Sequence, residues 1–162
     1  MRKPYLLLFV LLFSFKAWSC SCDCIGDCSF SVVSDNLDFV ALVKVVEFTD
    51  YLDLSLPDHP QMPNAMIVEV VKKYKGKESR TRIKIWGDNG MQCRPYIANF
   101  QLGKHYLIAP SLGAEEQLED YYLYVCHTDY LEVDLKKQKA FGAYAKNRSR
   151  VSLKKFEQNL KG

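Results

Sequence analysis

The first hydrophobic feature of the chain is MRKPYLLLFVLLFSFKAWS, a basic start at Arg2 and Lys3 followed by an apolar run from Leu6 to Phe15 that only Ser14 interrupts. Small residues Ala17 and Ser19 close it with the spacing a signal peptidase reads, so residues 1–19 are predicted to be a secretory leader. The run is about half the roughly twenty residues needed to cross a bilayer, and no other stretch approaches that length, so no transmembrane segment is expected. The remainder, 20–162, has the size of one domain.

Beyond the leader, five stretches rich in β-branched and aromatic residues are bounded by turn formers: Phe39 to Phe48, Met66 to Tyr74, Arg82 to Trp86, His105 to Ala109 and Tyr121 to His127. The first has apolar residues on both alternating sets, as a strand buried on two sides requires, whereas the third sets Ile83 and Ile85 against Arg82 and Lys84. Between the first two lies LSLPDHPQMPN, whose three prolines and lack of periodicity predict a connecting loop. YKGK predicts a turn with Gly76 at positive φ. Asp88 to Gly103 reads as a long crossover. Near the end, Val151, Phe156 and Leu160 recur at helical spacing behind Ser149 or Ser152 as a cap, and Leu131 to Ala145 fits neither period. The pattern predicts a mainly β fold: a small barrel over about 20–127, then an extension and closing helix in 128–162.

Charge changes the picture little. Without the leader, 19 basic residues face 19 acidic ones, which argues against a general polyanion binder. Cysteine changes it more. All six cysteines (20, 22, 24, 28, 93, 126) survive cleavage, and in an exported chain an even number predicts three disulfides. Cys20 and Cys22, two apart on an extended segment, point to one face and need distant partners, which only Cys93 and Cys126 supply. Cys24 and Cys28 can then close locally. Cys20–Cys93, Cys22–Cys126 and Cys24–Cys28 is the preferred set, and exchanging the first two partners is nearly as good on geometry.

Cleavage after Ser19 would free the α-amino group of Cys20. That nitrogen and the Cys20 carbonyl oxygen can close a five-membered chelate on a metal, and catalytic zinc in a protease keeps an open coordination position. With an α-amino pKa of about 8, a neutral fraction is present at physiological pH and zinc increases it. A cysteine at this junction is also where bacterial lipoproteins are acylated. Lys16, Ala17 and Trp18 depart from that signal, so a lipid anchor at Cys20 is the alternative to plain secretion.

These residues together resemble a known family. A mature start of Cys-x-Cys, the strand DFVALVKVV, the hairpin VVKKYKGKESRTRIKIW, Cys93 followed by LGKHYLIAP, and a last strand ending at Cys126 are similar to the inhibitory domain of tissue inhibitors of metalloproteinases, within the netrin-like group. The similarity covers about residues 20–127. It implies a five-stranded, closed OB-type barrel with flanking helices and a disulfide-stapled N-terminus. It further implies that Cys20 chelates the target's catalytic zinc through its main-chain amine and carbonyl, that Ser21 enters the adjoining pocket, and that Cys22 and Cys93 hold an inhibitory ridge with Met91 and Gln92 beside it. The partner would be an extracellular zinc metalloprotease, with the zinc belonging to that target and no cofactor of the chain's own. Three departures stand against the family pattern: Cys24 and Cys28 are close together, Arg94-Pro95 follows Cys93 where a glycine is usual, and no cysteine-rich domain follows Cys126. They keep a non-inhibitory netrin-like module for a cell surface or matrix as the alternative.

The other candidates read blandly. Lys72 to Lys84 holds seven basic residues and one acid, a solvated hairpin face or edge guard before it is a site for an acidic glycan. Nucleic acid is not an expected partner of a secreted chain. His59, His105 and His127 are far apart and read as surface or strand-end residues. Glu115 to Asp120 reads as a loop without the alternation of a calcium site. Asn147-Arg148-Ser149 matches a glycosylation acceptor. With the thiols in bridges no nucleophile–base set remains, so an enzyme is not expected. The expected location is secreted or extracellular, or the periplasm or surface of a bacterium.

Overall fold

The computed structural model describes residues 20, 22–24, 26–52, 61–113 and 120–160. Its longest strands are β1 (Val40–Leu52) and β2 (Met62–Lys75), an antiparallel pair in which three register shifts in β1 bend the ribbon. β3 (Arg82–Trp86) pairs with β2, and β4 (His105–Ile108) pairs with the other side of β1 over Ala41–Lys44. The short strands β5 (Ser111–Leu112) and β6 (Tyr121–Tyr122) pair with each other, and β6 runs parallel to β3. On the far side of β4 follow β7 (Tyr130–Asp134), β8 (Lys139–Ala145) and β9 (Arg148–Ser152). Helices α1 (Phe30–Asn36) and α2 (Leu153–Leu160) flank the sheet.

The expected five-stranded closed barrel is therefore corrected. The sheet has nine strands in the order β5-β6-β3-β2-β1-β4-β7-β8-β9, with edges at β5 and β9. Two local causes stop closure. The predicted fifth strand, Tyr121 to His127, ends after Tyr122 because the next amides are taken elsewhere: Tyr124 N–H donates to the Asp129 carboxylate at 2.7 Å and Val125 N–H to the Cys93 carbonyl at 3.1 Å. The chain then returns through Leu131 to Ala145, the stretch that fitted neither period, which forms most of β7 beside β4 and all of β8 beside β7.

Two apolar layers sit on opposite faces of the central strands. Ala41, Val43 and Val45 point into a core with Val68, Ile83, Ile85, Ile108 and Leu123, while Val40 and Leu42 point into another with Val33, Leu107, Leu131 and Phe156. Burial of β1 on both faces is the arrangement its unbroken apolar pattern predicts. The second layer is covered by α1, α2 and β7–β9, so the C-terminal extension is part of the core. Ser152, not Ser149, stands at the start of α2, its hydroxyl accepting from Lys155 N–H at 3.3 Å. Val151 lies in β9 and not in the helix. At Gly76, φ is +98° and a Cβ would come within 2.5 Å of the Asp38 carbonyl, so the predicted glycine requirement there is steric as well as conformational.

The proline-rich connection is shorter than its composition suggested, since Met62, Pro63 and Asn64 belong to β2. His59 and most of Glu115 to Asp120 lie outside the described residues. No helix among the described residues is long and apolar enough to cross a membrane.

Candidate functional site

Three segments meet at one end of the sheet: the N-terminal stretch 20–28, the loop 88–95 that leaves β3, and the turn 123–128 that follows β6. Covalent bonds join them. Cys20 is linked to Cys93, Cys22 to Cys126, and Cys24 to Cys28. Backbone hydrogen bonds run alongside, from Val125 N–H to the Cys93 carbonyl and from Thr128 N–H to the Cys28 carbonyl at 2.9 Å. The two long bridges close sequence separations of 73 and 104 residues, so each removes much freedom from the unfolded chain.

The loop that carries Met91, Gln92 and Cys93 is shaped by Asp88. Its carboxylate accepts from Gly90 N–H at 2.6 Å, Gln92 N–H at 3.1 Å and Arg94 N–H at 3.3 Å. Burial acts to raise the Asp88 pKa, yet the N–H groups of Gln92, Gly90 and Arg94 outweigh it and hold it below the ordinary aspartate value. Asn89 adds an Asx contact to Met91 N–H at 3.2 Å, and Cys93 itself takes a left-handed φ of +55°. The result is a tight, self-bonded loop that presents Met91 at 87 % exposure, with Gln92 exposed beside it and Cys93 half-buried.

Cys20 and Cys22 are both exposed, and the sulfur of Cys20 is anchored to Cys93. Ser21 lies outside the described residues. Cys20, Cys22, Met91, Gln92 and Cys93 are thus brought to one rim, with exposed Val125 on the neighbouring turn.

A groove of about 690 Å³ opens beside this rim, with Asp88, Arg94, Tyr96, Tyr124, His127 and Glu132 among its walls. Behind it Asp129, fully buried, is bonded to His127 Nδ1 and accepts from Tyr124 N–H. Burial pushes the Asp129 carboxyl up to about 6, against the lowering effect of the Tyr124 amide and His127. Arg94 lies 4.8 Å from the Tyr122 ring, and the Tyr122 and Tyr124 hydroxyls are 3.1 Å apart. Burial, then the hydrogen bond with Tyr124, raises Tyr122 to about 12.

Sequence reasoning missed two of these residues. Asp88 was legible as the first residue of an Asp-Asn-Gly turn, a pattern that predicts a carboxylate capturing the amides that follow it. Asp129 stands two residues from His127 and is bonded to its Nδ1, so His127 is a largely buried turn residue and not the surface or strand-end residue expected. His105 starts β4 as a strand-end residue, its pKa lowered by burial and by Lys44. No cluster of three or more His, Cys, Asp or Glu with metal-binding geometry occurs among the described residues.

No protein-family model matches the chain, and no curated protein matches it.

Proposed function

We propose that the chain is a secreted binding domain, similar to the inhibitory domain of tissue inhibitors of metalloproteinases, that blocks a zinc metalloprotease through Cys20. The observation that carries the reading is the exposed Cys20, fixed by the Cys93 bridge beside a loop that presents Met91. After cleavage at Ser19, the α-amino nitrogen and the carbonyl oxygen of Cys20 replace the water on the target's zinc. Pre-anchoring lowers the entropy cost of that contact. Ser21 enters the pocket next to the metal, and Met91, Gln92 and Val125 pack on the surrounding surface. The zinc is the target's, and the chain acts as a binding protein and not as an enzyme. Three disulfides support an oxidising, extracellular setting.

The test is a comparison of two proteins, one beginning at Cys20 and one carrying a single alanine before it, against a panel of zinc metalloprotease catalytic domains. The first inhibits at least one member and the second loses that inhibition. Equal potency of the two, or activity from neither, defeats the reading.

A non-inhibitory netrin-like module for a cell surface or matrix is the second reading. Arg94-Pro95 favours it: Pro95 is buried and Arg94 is turned onto Tyr122, so the loop after Cys93 is committed to the protein's own packing where the family has glycine. Acylation of the Cys20 amine would select this reading.

A further inference from the structure

Between Lys139 and Lys155 stand six cations and no acidic residue: Lys139, Lys146, Arg148, Arg150, Lys154 and Lys155. All six are exposed, and among the described residues their side chains form no ion pair. Acids on the same or neighbouring elements are already engaged, Glu132 with Lys104 at 3.5 Å, Asp134 with Lys137 at 3.0 Å and Glu157 with Lys72 at 2.7 Å, while Asp27 is held by Ser29 and by the Lys146 main-chain amide. Because 20–162 balances overall, these six cations leave the rest of the domain with six more acids than bases. The neutral total conceals a polarised molecule.

The hairpin Lys72 to Lys84 is the contrasting case. There Lys72 pairs with Glu157, Lys73 donates to the Glu78 carbonyl, Lys75 donates to the Ser34 and Asp35 carbonyls, Arg80 pairs with Glu78, and Lys84 with Asp50. Five of the hairpin's seven cations are thus used internally, and Lys77 and Arg82 stand exposed. The C-terminal ones are not.

Their placement is linear. β9 is an edge strand, and its Val151 turns inward opposite Ala140, which leaves Arg150 and Lys139 diagonal to each other on the outer face. Arg148 and Arg150 lie two residues apart, about 7 Å along the strand. Lys146 stands in the turn before β9, and Lys154 and Lys155 open the helix after it. Cations on an edge strand discourage pairing with other sheets, but that explanation does not reach the two lysines on α2.

We propose that this strip is a docking surface for a linear polysaccharide bearing sulfate or carboxylate groups. A row of cations along one edge matches an extended anionic chain. A membrane surface would be met by cations spread around protruding apolar side chains, and single-stranded nucleic acid by a series of stacking rings. Phe141, opposite Arg150, is the one exposed ring on the strip. The site lies in 128–162, outside the stretch that resembles the inhibitors, and it does not depend on Cys20.

The test is calorimetric titration of the protein 20–162 with a heparin octasaccharide at about 50 mM salt, where screening is weak. Saturable binding is expected, weakened about tenfold or more by Lys139→Ser, Arg148→Ser and Arg150→Ser together, and changed less than about twofold by Lys73→Ser, Lys77→Ser and Arg82→Ser. On the wild-type protein, the octasaccharide should protect Lys139, Lys146, Lys154 and Lys155 from acetylation and leave Lys73 and Lys77 reactive. The proposal is overturned by absence of saturable binding, by equal losses in the two triple variants, or by tighter binding to phosphatidylserine vesicles or to oligo-thymidine than to the octasaccharide.

Discussion

The amide of Val125 donates to the carbonyl of Cys93 at 3.1 Å, so the loop after β3 and the turn after β6 are stitched together where the two long disulfides arrive. Cys93 carries the bridge to Cys20 and Cys126, the residue after Val125, the bridge to Cys22. The rim is thus held from both sides by bonds that the sheet does not supply.

The three bridges differ in what they constrain. Replacing Cys22 and Cys126 by serine opens a 104-residue separation and should cost about 4–5 kcal/mol, whereas replacing Cys24 and Cys28, four residues apart, should cost about 2 kcal/mol. Denaturant unfolding of the two double variants gives the order directly. Equal losses would show that native strain, not loop closure, sets the effect.

Glu78 accepts from Arg80 and from the Tyr121 hydroxyl at 2.9 Å, and the Arg80 side chain is the first cause of a carboxyl pKa lowered to about 2. The folded value lies below the ordinary 4.5, so the stability Glu78 contributes is complete above that pH and is lost as pH falls through 2. Glu78→Gln should cost about 2 kcal/mol at neutral pH and flatten the acid limb of the stability profile. An acid limb as steep as the wild type's would contradict this.

Asp129 behaves in the opposite sense. Burial raises its folded pKa to about 6 from 3.8, so its contribution is complete below 3.8 and lost as pH rises through 6. Carbon-13 NMR of the Asp129 carboxyl should give a midpoint near 6. In Asp129→Asn, the fall in stability between these pH values should shrink, and an unchanged profile would count against the assignment.

How much of this was legible in the chain depended on how local the cause was. β3 was read to its exact ends because Ile83 and Ile85 alternate with charged neighbours; β1 was found because both its faces are apolar, although it starts at Val40 and runs on past Phe48 to Leu52. The tight Cys24–Cys28 link follows from spacing. The fate of Tyr121 to His127 was not legible, because the residues that stop the strand, Cys93 and Asp129, act through a carbonyl and a carboxylate whose positions only the fold determines. For the same reason charge counts singled out the Lys72 hairpin: its partners Glu157, Ser34 and Asp50 are distant in sequence. At the rim, Met91, Gln92 and Cys93 came from a resemblance, while the loop geometry that exposes Met91 rests on Asp88.

The C-terminal helix closes the second core through Phe156, whose ring meets Phe30 at 5.7 Å, Tyr74 at 5.2 Å and Tyr144 at 6.4 Å. Phe156→Ala should cost about 3–5 kcal/mol. Urea unfolding measures it. A loss under about 1 kcal/mol would mean that α2 is an appendage rather than part of the core.

The most direct measurement of the Cys20 chelate uses a metalloprotease catalytic domain from the inhibition panel with cobalt(II) in place of its zinc, because visible absorption then reports the metal's ligands. Adding the protein that begins at Cys20 should change the cobalt spectrum with one-to-one stoichiometry, and the same protein acetylated at that amine should leave it unchanged. Identical spectra for the two forms, or inhibition with no spectral change, would contradict coordination by the Cys20 amine and carbonyl.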